Sequence, residues 1–361
     1  MKKLVFLLLL ASATSAFASD SQILSVMERA CDWQLAHLST RITKRDTDYG
    51  WIRAVFYDGE MALYRQTHDP KYLQPMLDIA SKLKWEPGPR FRYADDQAIG
   101  QLYTELFFVK HDPAMIAPMR DRWDQIMSHP VAGHLDWSWC DALFMAPPSL
   151  ARLSVATGQR KYLDFMDHQW WDTADFLYDK DQRLIFRDKT YFHSKEPNGQ
   201  PVFWSRGNGW VLAALARVME FMPQDYPDRP RYERMYTEMS DRIAGLQQAD
   251  GFWRMSLLDP DSNPGGESSG TGLFCYAFAW GIRHDLLSRD KFSPIVAKAW
   301  SALSGAVLPS GRLQWVQLPG SKPGALHRDD TAEYGVGALL LAGSEMMQLG
   351  HLNSVDSGGT Q

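Results

Sequence analysis

Three stretches of this chain repeat one short pattern: Thr67-His-Asp-Pro-Lys-Tyr-Leu73, Lys110-His-Asp-Pro-Ala-Met-Ile116 and Thr157-Gly-Gln-Arg-Lys-Tyr-Leu163. Each lies between two segments with helical patterning. Asp69 and Asp112 suit the cap of a helix start, and Pro70 and Pro113 suit its first turn, where a missing N–H costs nothing. The spacings of 43 and 47 residues match one helical hairpin per repeat.

Helical periodicity is clear at 98–109 (AIGQLYTELFFV), 210–221 (WVLAALARVMEF) and 338–349 (ALLLAGSEMMQL). Strand signals are few. Three brief pieces, 181–186 (DQRLIF), 250–254 (DGFWR) and 310–315 (SGRLQW), each read as a turn and a short extended segment after a helix. SNPGGESSGTG (262–272) reads as a loop. Repeated hairpins with small strands at their ends suit either an open solenoid or a closed toroid. A solenoid needs uniform repeats and polar caps, whereas these repeats are diverged and the aromatics cluster in the connections. Six hairpins of about 50–55 residues use the whole chain. The expectation is an all-α fold, an (α/α)6 barrel of six helical hairpins with short strands and loops at its mouth.

The start of the chain reads as a targeting segment over 1–18. Lys2 and Lys3 precede an apolar run from Leu4 to Ala11, and Ala16-Phe17-Ala18 fits a cleavage site. That implies export, most simply to a bacterial periplasm, of a single domain over 19–352 with a flexible tail at 353–361. No run is long enough to span a membrane. Without Lys2 and Lys3 the formal charge goes from −5 to −7, and no basic run points to nucleic acid. Cys31, Cys140 and Cys275 are an odd set, so this is no disulfide scaffold. No H-E-x-x-H, zinc-spaced Cys/His cluster, Walker loop, dinucleotide fingerprint or G-x-S-x-G elbow occurs, so neither cofactor nor metal is called for.

The residues that carry chemistry concentrate at 134–148, HLDWSWCDALFMAPP. Asp141 sits among Trp137, Trp139, Leu143, Phe144 and Met145. A charge in such company is costly unless it is paired or protonated, and a raised pKa suits a general acid. Indole rings beside an acid also suit a sugar. The same stretch reads equally as a buried Asp capping a helix. A second cluster, Arg92-Tyr-Ala-Asp95-Asp96-Gln97, places two acids at a helix start, where the dipole accounts for one of them. The other, with Asp141, makes the carboxylate pair of a glycosidase. A third, Trp204-Ser-Arg206-Gly-Asn208-Gly-Trp210, offers an arginine fork and an indole after a tight turn. His134 is the one histidine placed near this site. The 327–334 run, HRDDTAEY, suits the rim or a solvated surface equally.

Taken jointly, RYADDQAIGQLY, DWSWCDALFMAPP, FWSRGNGWVLAAL, LLDP with SSGTGLFCYAFAWGI, and AEYGVGALLLAGSE resemble glycoside hydrolase family 105, the unsaturated rhamnogalacturonyl hydrolases, from about Gln22 to Leu349. The resemblance implies an (α/α)6 barrel without metal or cofactor. It implies an unsaturated oligosaccharide as substrate, bearing a 4,5-unsaturated uronic acid left by a lyase, and hydration of the vinyl ether in place of direct displacement at the anomeric carbon. It assigns Asp141 as the catalytic acid and Asp96, preferred over Asp95, as the second acid. It puts Arg206 near the uronate carboxylate and Trp210 against the sugar. Asp95, His134, Trp137, Trp139 and Arg187 complete the expected binding set. Arg187 is a departure, because some members carry His there; a second cation leaves the aglycone open between rhamnose and other lyase products. The competing readings are an unsaturated glucuronyl hydrolase acting on such products, an ordinary glycosidase or epimerase on the same barrel, and a non-catalytic periplasmic glycan binder. Turnover of unsaturated substrates separates the two unsaturated uronyl hydrolase readings from the rest.

Overall fold

The structure, a computed structural model, describes residues 18–40, 47–131 and 133–357. The expected leader therefore lies, apart from Ala18, outside the described residues. Fourteen helices follow in order: α1 (Asp20–Ala36), α2 (Trp51–Thr67), α3 (Pro70–Lys82), α4 (Ala94–Gln97), α5 (Gly100–Lys110), α6 (Ala117–Ser128), α7 (Ala142–Met145), α8 (Pro147–Thr157), α9 (Lys161–Leu177), α10 (Ser205–Met219), α11 (Arg229–Ala244), α12 (Ser268–Arg283), α13 (Arg289–Ala306) and α14 (Glu333–Ser357). None is long and apolar enough to cross a membrane, among the described residues.

The repeated pattern is the turn from an inner to an outer helix. α2 ends at Thr67, His68 takes a left-handed conformation (φ 53°), and Asp69 accepts the Lys71 amide to start α3 at Pro70. α5 ends the same way, with His111 at φ 57° and Asp112 accepting the Ala114 amide before Pro113. In the third copy Gly158 (φ 68°) holds the left-handed place. Helices commonly stop on such a residue, which satisfies their last carbonyls.

These turns send each outer helix back to the start of the next inner one. The inner helices α2, α5, α8, α10, α12 and α14 pack in that order, and α14 closes the ring on α2. α1, α3, α9, α11 and α13 cover α14, α2, α8, α10 and α12 from outside, and α6 meets α9 through Trp123 and Phe165. The expected barrel of six hairpins is the observed fold. Part of the ring is closed by small residues. A Cβ on Gly337 of α14 would lie 2.2 Å from the Val55 carbonyl of α2, and one on Gly272 of α12 would lie 3.0 Å from Ala338 of α14.

The short extended segments are smaller than the sequence suggests. Only 181–186 yields a ladder, with β1 (Tyr178–Asp179) antiparallel to β2 (Leu184–Ile185). The 310–315 piece makes one bridge, Val307 to Leu313, and in the 250–254 piece the Phe252 carbonyl accepts the Gln248 amide. Two boundaries are corrected. The loop expected over 262–272 stops at Glu267, because its buried carboxylate accepts the Ser269 and Gly270 amides and opens α12 at Ser268. α14 continues to Ser357, into the expected tail.

Enlarging Gly337 tests this closure. Gly337→Ala should destabilise the protein by about 2 kcal/mol, the usual cost of overpacking a well-packed core, read as a lowered urea midpoint with an unchanged slope. An unchanged midpoint would show that α2 and α14 do not depend on the close approach.

Candidate active site

The inner helices start at one end of the ring, and their starts carry the candidate site. Arg53 of α2 reaches Glu333 at the start of α14 (3.0 Å). Trp51, Trp210 and Tyr334, from the first two turns of α2, α10 and α14, pack together. The opposite end holds a cavity of about 300 Å³ lined by one group from each inner helix: Asp58, Glu105, Arg152, Arg217, Tyr276 and Glu345.

Asp141 occupies the N-cap of α7, yet its carboxylate makes no capping bond. The capping reading of this acid therefore fails, and the carboxylate is left for other work. It keeps 13% of its side-chain exposure. Arg187 Nε lies 3.4 Å from Asp141 Oδ2, while Arg187 Nη1 donates to Asp188 at 2.5 Å. The Cys140 thiol lies 3.6 Å from the same Oδ2. Burial raises the Asp141 pKa, and Arg187 and then Arg206 pull against it.

Two main-chain ties set this geometry. The Cys140 amide donates to the Arg187 carbonyl at 2.8 Å. Asn208 of α10 accepts the Ile185 amide (2.9 Å) and returns its own amide to the carbonyls of Ile185 (3.1 Å) and Trp204 (3.0 Å). The asparagine of the Arg-Gly-Asn pattern thus pins β2, and β2 leads directly to Arg187. Gly207 makes room: a Cβ there would meet Trp204 at 2.9 Å and Cys140 Sγ at 3.1 Å.

The adjacent acids separate. Asp96 is bound to Arg90, accepting its amide (2.7 Å), Nε (3.0 Å) and Nη2 (2.5 Å), and its own carbonyl accepts the Gly88 amide at 2.8 Å. Asp95 makes no such bond to Arg90 and lies within the field of Asp141. Burial and then the Asp141 charge push Asp95 up to about 7. The expected preference for Asp96 is reversed, because Arg90 consumes its carboxylate in holding the 88–96 turn.

Four further expectations change. Trp210 is 1% exposed and packs on Phe144 at 4.7 Å, so it belongs to the core and offers no face to a sugar. Trp137 is buried likewise, its carbonyl accepting the Thr173 hydroxyl at 2.6 Å. Arg206 is fully buried between the Trp204 and Tyr334 rings, and its fork donates to the carbonyls of Gln317 (2.7 Å) and Leu318 (3.1 Å). It therefore acts on Asp141 through its field and secures the 317–318 loop. His134 stacks at 3.8 Å on Phe176 of α9, and the structure does not join it to the acids.

Trp139 stacks on Tyr93 (4.9 Å), and Arg90 covers the other ring, 3.8 Å from its centroid. Sequence reasoning missed Arg90, Tyr93 and Glu267. Glu267 holds the Gln317 amide (3.3 Å) and so fixes the loop whose carbonyls take Arg206. The signal for it was Glu267-Ser-Ser, an acid before two hydroxyls at a helix start.

Comparison with known proteins bears on the family and the fold. A sequence model described as Glycosyl Hydrolase Family 88 matches residues 26–350. A Formosa agariphila protein named unsaturated 3S-rhamnoglycuronyl hydrolase is 37% identical over 92% of each chain. An Alteromonas protein of the same name is 35% identical, over 91% of this chain and 86% of that one. The solved structure of a family 88 glycosyl hydrolase from Bacteroides vulgatus superposes with a TM-score of 0.84 at 30% identity, covering 92% of this chain and all of the other. The matching family is thus 88, beside the family 105 that the motifs suggested.

The raised pKa of Asp95 makes a stability prediction. A carboxyl whose folded pKa exceeds its unfolded value of about 3.9 contributes stability that is present below the unfolded value and lost as pH rises through about 7. Asp95→Asn should therefore match the wild type near pH 4. Above pH 7 it should be more stable by about 1–2 kcal/mol, the full linkage value being discounted for partial solvation. Thermal unfolding at the two pH values measures it; equal shifts at both would contradict the assignment.

Proposed function

Because this chain belongs to Glycosyl Hydrolase Family 88, we propose that its substrate is a 4,5-unsaturated uronic acid linked to a rhamnose that bears a sulfate at O3. The enzyme is a glycoside hydrolase that removes the unsaturated uronic acid from lyase-generated oligosaccharides. The sulfated aglycone is supported by the names of the Formosa and Alteromonas relatives, at 37% and 35% identity. The unsulfated rhamnogalacturonan disaccharide implied by the motif resemblance is the competing substrate.

The observation that carries the mechanism is one largely buried acid, Asp141, beside Arg187 and in electrostatic reach of a second acid, Asp95. Two carboxylates that feel one another share a proton below the upper pKa of the pair. One shared proton also removes a negative charge that would repel the incoming uronate. Asp141 delivers its proton to C4 of the double bond, and positive charge develops at C5 and the ring oxygen. Water adds at C5, and its proton passes to the Asp141 carboxylate. The resulting hemiketal opens by breaking the bond from C5 to the ring oxygen. The hemiacetal left at C1 then releases the aglycone. Arg187 steadies the carboxylate stage of Asp141, and its ring-opened product leaves no covalent bond to the protein. The leader, as an export signal, would put this chemistry in the periplasm, where lyase products enter.

The ultraviolet absorbance of the conjugated enol ether reports the reaction. Wild type should consume it, Asp141→Asn should not, and Asp95→Asn should lose roughly 10²–10⁴-fold in kcat, the range for a general acid–base group. The rate should fall as pH rises through about 7, where the pair loses its shared proton, and that limb should move to lower pH in Asp95→Asn, where no neighbouring carboxylate helps Asp141 to keep its proton. Full activity of Asp141→Asn, or faster turnover of the unsulfated disaccharide, would overturn the mechanism or the aglycone respectively.

A further inference from the structure

A groove of about 580 Å³ lies on the outer face of the barrel, between α9 and α11 and beside the β1–β2 turn. Its carboxylates are already engaged. Both oxygens of Asp175 accept Arg231 Nη2 at 2.6 Å. Glu238 accepts the Tyr178 hydroxyl at 3.2 Å, and Asp228 is in hydrogen-bond contact with Asp167. Three of its four cations are not: Lys180, Arg183 and Arg234 line the groove, are exposed, and are in no ion pair among the described residues. Three unpaired cations on one groove stand out in a chain of net charge −5. Between them Arg231 covers the buried Trp171 ring, 3.7 Å from its centroid, and the half-buried Tyr178 ring borders the groove. Arginine forks match carboxylates and sulfates, and aromatic rings suit the C–H face of a sugar.

We propose that this groove is a second glycan site, distinct from the mouth, which takes an oligosaccharide bearing uronate carboxylates or sulfate esters. The proposal rests on the glycan-processing reading above but not on its chemistry. The placement gives the site a use. Lys180 and Arg183 sit on the turn between β1 and β2, and that hairpin runs on to Arg187 at the acid pair. Arg242 of α11 clamps the turn by donating to the Gln182 carbonyl (3.1 Å) and side chain (3.2 Å). An anionic chain held in the groove would lie on the flank of the mouth, so its benefit should grow with chain length.

Calorimetric titration of the full chain tests this with a saturated hexasaccharide of alternating glucuronate and 3-sulfated rhamnose, which has no double bond to consume. Wild-type affinity should weaken as salt is raised. The variant Lys180→Ala/Arg183→Ala/Arg234→Ala should bind about ten-fold more weakly, with kcat/KM on the unsaturated disaccharide unchanged. Arg234→Glu alone, at an exposed position, should shift affinity in the same direction. Loss of binding on desulfation assigns the recognised anion to sulfate, and loss only on carboxyl reduction assigns it to the uronate; both support the site. Equal affinity of wild type and triple variant, or equal binding of neutral maltohexaose, would overturn it. Charge-dependent binding without any turnover of the disaccharide would support the groove and sink the proposed reaction, so the two fail separately.

Discussion

Inner helices that each return through an outer partner must all run the same way, so closing the ring brings their starts to one end and their ends to the other. The turns after α2, α5 and α8 enforce this return with a left-handed residue, aided by an aspartate cap in the first two. Free backbone N–H groups and the positive ends of the helix dipoles then converge at the mouth. That field favours an anionic sugar there before any side chain acts. It also explains why acids gather at the helix starts: Asp141 before α7, Asp95 in α4, Glu267 before α12 and Glu333 in α14. At the other end the field has the opposite sign, and Arg152 and Arg217 lie there among Asp58 and Glu105.

Within that field the acid pair is tuned by opposing effects, of which burial is the largest. Burial raises both Asp141 and Asp95. Arg187 and Arg206 hold Asp141 down, whereas Asp95 carries the added repulsion of Asp141. The difference comes from placement: Arg187 touches Asp141 directly, and Arg206 acts from behind with its donors spent on carbonyls. A pair of carboxyls raised in this way can hold one proton near neutrality, which suits one group to serve first as acid and then as base.

The sequence made some of this readable and hid the rest for physical reasons. The hairpin turns were legible because caps, prolines and left-handed residues act locally. Asp141 was legible because a charge inside an apolar run conflicts with its surroundings. The roles of Trp137 and Trp210 were not, since an indole near an acid in sequence can face the core or the cleft, and here both face the core. The choice between Asp95 and Asp96 depended on Arg90, five and six residues upstream, whose fork reaches only one of them. Arg206 looked like a ligand for the uronate until the loop carrying Gln317 and Leu318, more than a hundred residues away, supplied its acceptors. Sequence patterning reports what a residue prefers; which partner arrives first is a property of the closed ring.

The most direct test of the account is the position of solvent atoms in the product. With an unsaturated disaccharide in water enriched in oxygen-18 and deuterium, hydration by Asp141 predicts oxygen-18 bound first at C5 and deuterium at C4 of the released sugar, observed by NMR and mass spectrometry of rapidly quenched product. Oxygen-18 at C1 of a sugar that keeps its double bond would contradict it, and would mean that the carboxylates cleave the anomeric bond directly.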